Sequence, residues 1–246
     1  ATPQWLSEQL ADKSAEVVLA AVGALATLRY TDEDTRAAVR RLFDHVDADV
    51  RKQAVDYFSA LETDANKEPE SLIPLIDDPA AVIQISAMRA LQNTVTESDY
   101  GRTTSLTDQA RVSAVKRLVT IASDDKARPD VRDAALLTAS LLATPSDENI
   151  CQVVAAAAAN PYLADTAAIA LGHLGWQLKN DSPTLCEEPL ATSLIALVAS
   201  PDPVVRKAAA RAIGEIRKDA DNDLWARDIY ALLPRLATDQ TSGIRQ

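Results

Sequence analysis

Apolar residues recur along this chain with a helical period, most cleanly in the segment that opens at Val205. Ala209, Ala212, Ile213 and Ile216 follow it on one face, while Lys207, Arg211 and Glu215 fall on the other, as expected of a helix with one buried stripe. A turn built on Pro201, Asp202 and Pro203 precedes it. The same pattern, apolar or small residues four, seven and eight positions after an apolar anchor, recurs at Val17, Val50, Ile83, Val131 and Leu163 and begins again at Ile244. Successive anchors are 33, 33, 48, 32, 42 and 39 residues apart. Periods of this length mark repeat architectures, in which each unit is one supersecondary element that must stack on its neighbours to bury its apolar faces.

Each anchor opens a second helix that follows a shorter apolar-periodic segment, so each repeat reads as a helical hairpin. The hairpins span roughly 3–28, 32–61, 69–93, 110–143, 146–174, 190–217 and 224–246. Residues 94–109, polar and rich in Thr and Ser, explain the 48-residue spacing as a surface loop between repeats. Residues 175–189 explain the 42-residue spacing in the same way. Pro161 is placed at the start of a second helix, where its missing N–H costs nothing. The expected fold is all-α, an α-solenoid of about six and a half stacked hairpins forming one array over residues 1–246. Its last helix would open at Ile244-Arg245 and stop, as in an array truncated at its C-terminus.

Composition agrees with close helix packing: 45 alanines against 6 glycines, with 4% aromatic residues. The three tryptophans, Trp5, Trp176 and Trp225, read as packing residues. A net charge of −11 opposes a phosphate backbone, whose recognition needs clustered Lys and Arg, so nucleic acid is not expected as a partner. No apolar run approaches the length of a membrane span, so membrane insertion is not expected either. The N-terminus lacks the basic and apolar regions of a leader. That favours the cytoplasm, with a mature periplasmic or secreted chain beginning Ala1-Thr2-Pro3 as the alternative.

Four anchors carry a Val-Arg or Ile-Arg pair, at Val50-Arg51, Val131-Arg132, Val205-Arg206 and Ile244-Arg245. Three depart from it, at Val17-Val18, Ile83-Gln84 and Leu163-Ala164. With Asp or Pro just before the pair and an Ala-Ile-Gly run after it, the pattern resembles the HEAT repeat family, including its bacterial lyase-like branch. The resemblance implies a right-handed superhelix whose second helices line the concave side and bind another protein or peptide, alone or within a larger complex. The lyase-like branch implies an alternative, an accessory or lyase-type subunit acting on a tetrapyrrole-bearing protein.

On the second helices, positions two, six and nine after each anchor point away from the buried stripe, and the candidate face is taken from positions two and six. They hold Lys52 and Asp56, Ile85 and Arg89, Asp133 and Leu137, Asp165 and Ile169, Lys207 and Arg211. These ten residues are the candidate protein-binding face, with Ile85, Leu137 and Ile169 apolar where solvent is expected. Asp49, Asp130 and Asp202 read as helix caps that pair with an Arg of the same or the next repeat.

Cys151, His173 and Cys186 fall where one rim could gather them. The two cysteines are a possible disulfide or two ordinary unpaired thiols, with the unpaired state as the default. A zinc site would have only three ligands and no CxxC or HxxxH spacing. His45 stands apart in another repeat. Stacking accounts for the recognisable patterns and leaves no cluster of reactive groups over. The expected function is a non-enzymatic interaction scaffold, with no catalytic residue, cofactor or metal.

Overall fold

The computed structural model describes residues 4–61, 68–98, 101–144, 147, 149–178, 187–217 and 234. The chain forms two compact units, residues 1–110 and 111–246, and the described residues fold as an all-α solenoid with one short hairpin of strands.

In the first unit α1 (Gln4–Gln9) packs on α2 (Ala15–Thr27), α2 on α4 (Ala48–Ser59), and α4 on α6 (Ala81–Gln92). The shorter α3 (Glu33–Arg40) and α5 (Pro69–Leu72) each run on into a 3-10 turn, Arg41–Asp44 and Ile73–Asp77, that packs beneath the following second helix. In the second unit α8 (Pro129–Leu142) packs on α10 (Ala164–Leu178) and α10 on α12 (Pro203–Arg217). The first helices there are α7 (Asp108–Ser123), α9 (Ile150–Ala158) and α11 (Glu187–Val198), and α9 lies directly against α11.

The repeated pattern is the core. Ala54, Tyr57 and Phe58, Ala87, Ala90 and Leu91, and Ala167, Ala170 and Leu171 occupy the same three positions after their anchors, and all are buried. Alanine dominates because neighbouring helices approach too closely for larger groups. At Gly172 even a Cβ would lie 3.0 Å from the Cα of Ala212. The aromatic exceptions cluster in the second hairpin, where Tyr57 and Phe58 meet edge to face with centroids 5.2 Å apart and Phe43 lies 5.5 Å from Phe58.

That cluster is anchored by a helix end. Arg29 takes a left-handed φ of 55° after α2, and the Tyr30 N–H reaches back to the Leu25 carbonyl, a common way to close a helix. The Tyr30 carbonyl thereby accepts the buried Tyr57 hydroxyl at 2.5 Å. Burial pushes the Tyr57 phenol up to about 12, so it stays a donor. Between the first helices of hairpins two and three, Glu68 joins Arg36 at 2.8 Å and Arg40.

Several expectations need revision. The segment 94–109 is more than a loop: β1 (Val95–Ser98) pairs antiparallel with β2 (Gly101–Thr104), and α7 begins at Asp108. Thr96 faces Thr103 across the strands at 2.8 Å, a hydroxyl pair that suits β-branched residues, and Thr94, just ahead of β1, meets the Thr104 hydroxyl at 3.0 Å. Thr107 donates to Glu70 through its amide and hydroxyl, tying the end of the excursion to α5. The second excursion is shorter than 175–189, because α10 continues to Leu178 and α11 starts at Glu187. Pro161 lies in the turn ahead of α10 rather than at its first position. Trp5 is 63% exposed and so is not a packing residue. The side chain of Trp176, and the seventh hairpin with Trp225, Ile244 and Arg245, lie outside the described residues.

Candidate functional site

The ten outward positions fall on consecutive second helices within each unit. In the first unit, α4 contributes Lys52 and Asp56 and α6 contributes Ile85 and Arg89. All four line one groove of about 650 Å³, together with Ser59, Val82, Ser86, Gln92 and Asn93. Lys52 and Asp56, one turn apart, pair at 2.6 Å. Asn93 donates to the Ser59 hydroxyl at 3.2 Å and bridges the two helices at one end. Ile85 is half-buried and Arg89 exposed. The Arg89 guanidinium makes no hydrogen bond or ion pair among the described residues.

In the second unit, Asp133 and Leu137 of α8, Asp165 and Ile169 of α10, and Lys207 and Arg211 of α12 lie on three helices packed in that order. They differ in availability. The Asp133 carboxylate accepts the Thr166 hydroxyl across the α8–α10 contact, and burial raises its carboxyl above the ordinary value despite that bond. Leu137 and Asp165 are half-buried, Ile169 is 38% exposed, and Lys207 and Arg211 are exposed.

Ser59 and Gln92 of the groove stand at the ninth position after their anchors, and Val82 lies on the same outward helix face. Val82 precedes its anchor by one, in line with the second and sixth positions after it, and is 46% exposed. Tyr162, 80% exposed, and Val204, 59% exposed, hold the same position before Leu163 and Val205. Carrying the outward face one turn back toward each helix start would have found all three. A second groove of about 740 Å³ in the second unit went unforeseen. It runs between the C-terminal half of α7 and α9, with Val119, Ala122, Val153 and Ala156 among its lining and Asp124, Asp125, Gln152 and Asn160 beside them.

The Asp and Arg residues before and after the anchors cap helices and pair by a partly different scheme from the expected one, and Arg51 alone of them is seen to reach the next hairpin among the described residues. Asp202 caps α12 through the Val204 amide at 2.8 Å. For α4 the cap is Asp47, which accepts from the amides of Asp49 and Val50, while Asp49 lies in the first turn. Asp130 pairs with Arg128 rather than Arg132. Arg51 pairs with Asp78 of the next hairpin, Arg132 with Asp125 of its own, and Arg206 donates to the carbonyls of Ser200 and Pro201.

His173 is buried, with Nδ1 3.0 Å from the Ser140 hydroxyl. His45 accepts the Asp47 amide within its turn. Cys151 is buried and disulfide-bonded, so an unpaired thiol is not its state. Cys186 lies outside the described residues. No group of three His, Cys, Asp or Glu side chains that could hold a metal occurs among the described residues. No helix among them is long and apolar enough to cross a membrane.

Residues 190–216 match the family model of the HEAT repeat. That span contains α12 as far as Ile216 and the Val205-Arg206 pair, and it supports the HEAT repeat family without singling out the lyase-like branch. No curated protein matches the chain. Among solved structures, an engineered protein is similar over 98% of this chain at 20% identity and a TM-score of 0.61, and the chain spans 65% of that protein's length. A designed armadillo repeat protein matches over 87% of this chain and 99% of its own at 16% identity and a TM-score of 0.57. Another, solved in complex with the peptide (KR)4, matches over 100% of this chain and 95% of its own at 14% identity and a TM-score of 0.50. At these identities the likeness concerns the fold, an α-solenoid of armadillo and HEAT type.

Proposed function

We propose that the chain is a non-enzymatic scaffold that holds another protein, or a peptide, along the face formed by its second helices, the concave side of such a solenoid. The observation that carries this reading is the first-unit groove. Four outward residues chosen by periodicity alone, Lys52, Asp56, Ile85 and Arg89, line a single cleft. In the second unit Leu137, Asp165, Ile169, Lys207 and Arg211 offer the corresponding face, while Asp133, bonded to Thr166, contributes mainly by holding α8 to α10. The peptide carried by a designed armadillo neighbour is in keeping with this use of the fold. The array is read as continuous over residues 1–246.

The test is quantitative binding of the protein that co-purifies with the chain, once identified, to variants of each face. Ile85→Asp, Leu137→Asp and Ile169→Asp each weaken binding at least ten-fold with unchanged helical circular dichroism. Val46→Asp, at a turn residue 95% exposed, has no effect. Equal binding by all four variants sinks the proposal.

As the mate of Cys151 we assign Cys186, the only other cysteine of the chain. A disulfide weighs toward an oxidising compartment over the cytoplasm, and so toward a periplasmic or secreted chain.

A further inference from the structure

The first-unit groove has a direction and a charge. Along α6 its lining extends from Val82 to Asn93, eleven helical steps or about 16 Å of rise. Along α4 it extends from Lys52 to Ser59, about 10 Å. The cleft therefore runs along the helix axes, and about five residues of extended chain at about 3.3 Å each would fill it.

Its chemistry changes along that length. Val82 and Ile85 supply an apolar end. Ser86 carries a hydroxyl that both donates and accepts, as the backbone of an extended segment requires, while Ser59 and Asn93 bond each other at the far end. Lys52 and Asp56 cancel each other's charge. What remains is Arg89, a cation with no partner among the described residues, in a chain whose net charge is −11. Ile85 and Arg89 are four residues apart on one helix face, about 6 Å of rise. That nearly equals the separation of side chains two apart on an extended strand, about 6.6 Å.

Resting on the scaffold reading above, we infer that this groove binds an extended peptide lying along α6, with an acidic side chain on Arg89 and an apolar side chain two residues away on Val82 and Ile85. The occupant is an acidic short linear segment. A basic peptide of the kind carried by the designed armadillo neighbour would meet the wrong charge.

The test uses the full chain and three fluorescein-labelled peptides, Ser-Leu-Ser-Glu-Ser-Gly and its counterparts with Gln or Lys in place of Glu, titrated by fluorescence anisotropy. The Glu peptide binds about five-fold more tightly than the Gln peptide, the upper range for an exposed ion pair, and the gap narrows in 0.5 M salt. Arg89→Gln levels the two, and Arg89→Glu reverses the order in favour of the Lys peptide. Arg89 is exposed, so these variants retain the fold. Equal binding of the Glu and Gln peptides, a preference that survives Arg89→Gln, or no binding of any peptide overturns the inference. Equal binding that is still lost in Ile85→Asp overturns the acidic preference while the scaffold reading stands.

Discussion

Arg51 grips Asp78 with both arms of its guanidinium, Nε to one carboxylate oxygen at 2.8 Å and Nη2 to the other at 3.0 Å, from one hairpin to the next. The third nitrogen, Nη1, donates to the carbonyls of His45 and Val46. Asp78 also accepts the Ala80 amide at 2.8 Å, at the start of α6. With side chains only 12% and 5% exposed, both charges depend on each other. Removing one leaves the other buried and uncompensated, which typically costs about 3–5 kcal/mol. Arg51→Ala and Asp78→Ala should each lower the urea unfolding free energy of the chain by about that much, whereas Arg51→Met combined with Asp78→Leu should cost far less. A double variant as unstable as the singles would mean that the pair does more than neutralise itself.

The close approach of α10 and α12 gives a prediction of opposite sign at two glycines. At Gly172 a Cβ would meet the Ala212 Cα at 3.0 Å, the Ala212 Cβ at 3.2 Å and the Glu215 Oε2 at 2.7 Å. Backbone cannot yield as a side-chain tip can, so Gly172→Ala should destabilise by about 1–3 kcal/mol. Gly214, on α12 itself, has nothing within 4 Å of its would-be Cβ, and Gly214→Ala should stabilise by about 0.5–1 kcal/mol through helix propensity alone. Thermal unfolding of the two variants checks both; a shift of the same sign would show that the helix contact does not set the glycine requirement.

The stack was legible because each repeat restates one rule. Six described anchors are buried or half-buried at the head of a second helix, and the residues seven and eight positions on form the core. The strands at Val95–Ser98 and Gly101–Thr104 were not legible. They occur once, in a polar, Ser- and Thr-rich segment that lacks the alternating apolar residues by which a strand is recognised. The Arg51 partner was hidden for a related reason. The acidic residue beside the anchor, Asp49, was the local choice, whereas the bonded one, Asp78, lies five positions before the next anchor. Of the groove, the outward face of α4 and α6 follows from periodicity, but that the two helices part enough to leave about 650 Å³ depends on packing that no single helix encodes.

Asp133 carries a pH dependence. Burial raises its carboxyl above the ordinary value, opposed by the Thr166 hydroxyl and reinforced by the neighbouring charges of Asp165 and Asp130. The folded state therefore holds the proton more tightly than the unfolded chain, and stability falls as pH rises from the ordinary carboxylate value through the raised one. Asp133→Asn keeps an oxygen to accept from Thr166 and removes the titration. Measured by urea unfolding, its gain over the parent chain should be larger at pH 7 than at pH 4. An equal difference at the two pH values would place the burial penalty elsewhere.

Cys151 is buried and disulfide-bonded near the start of α9. Alkylation of the denatured, unreduced chain should leave it unmodified, and reduction should expose it. With Cys186 as its mate, the bond closes a loop of 35 positions, and loop-closure entropy for that length is worth about 3–4 kcal/mol. Non-reducing digestion should then yield one cross-linked peptide pair from a monomer, and Cys151→Ser should lower the unfolding midpoint by an amount that reductant reproduces in the parent chain. A disulfide-linked dimer on a non-reducing gel would overturn the assignment of Cys186, because the cross-link would then join two chains. If the parent chain unfolds at the same denaturant concentration with and without reductant, the bond contributes nothing to holding α9 in the stack. Its presence would then report only on the compartment in which the protein matures.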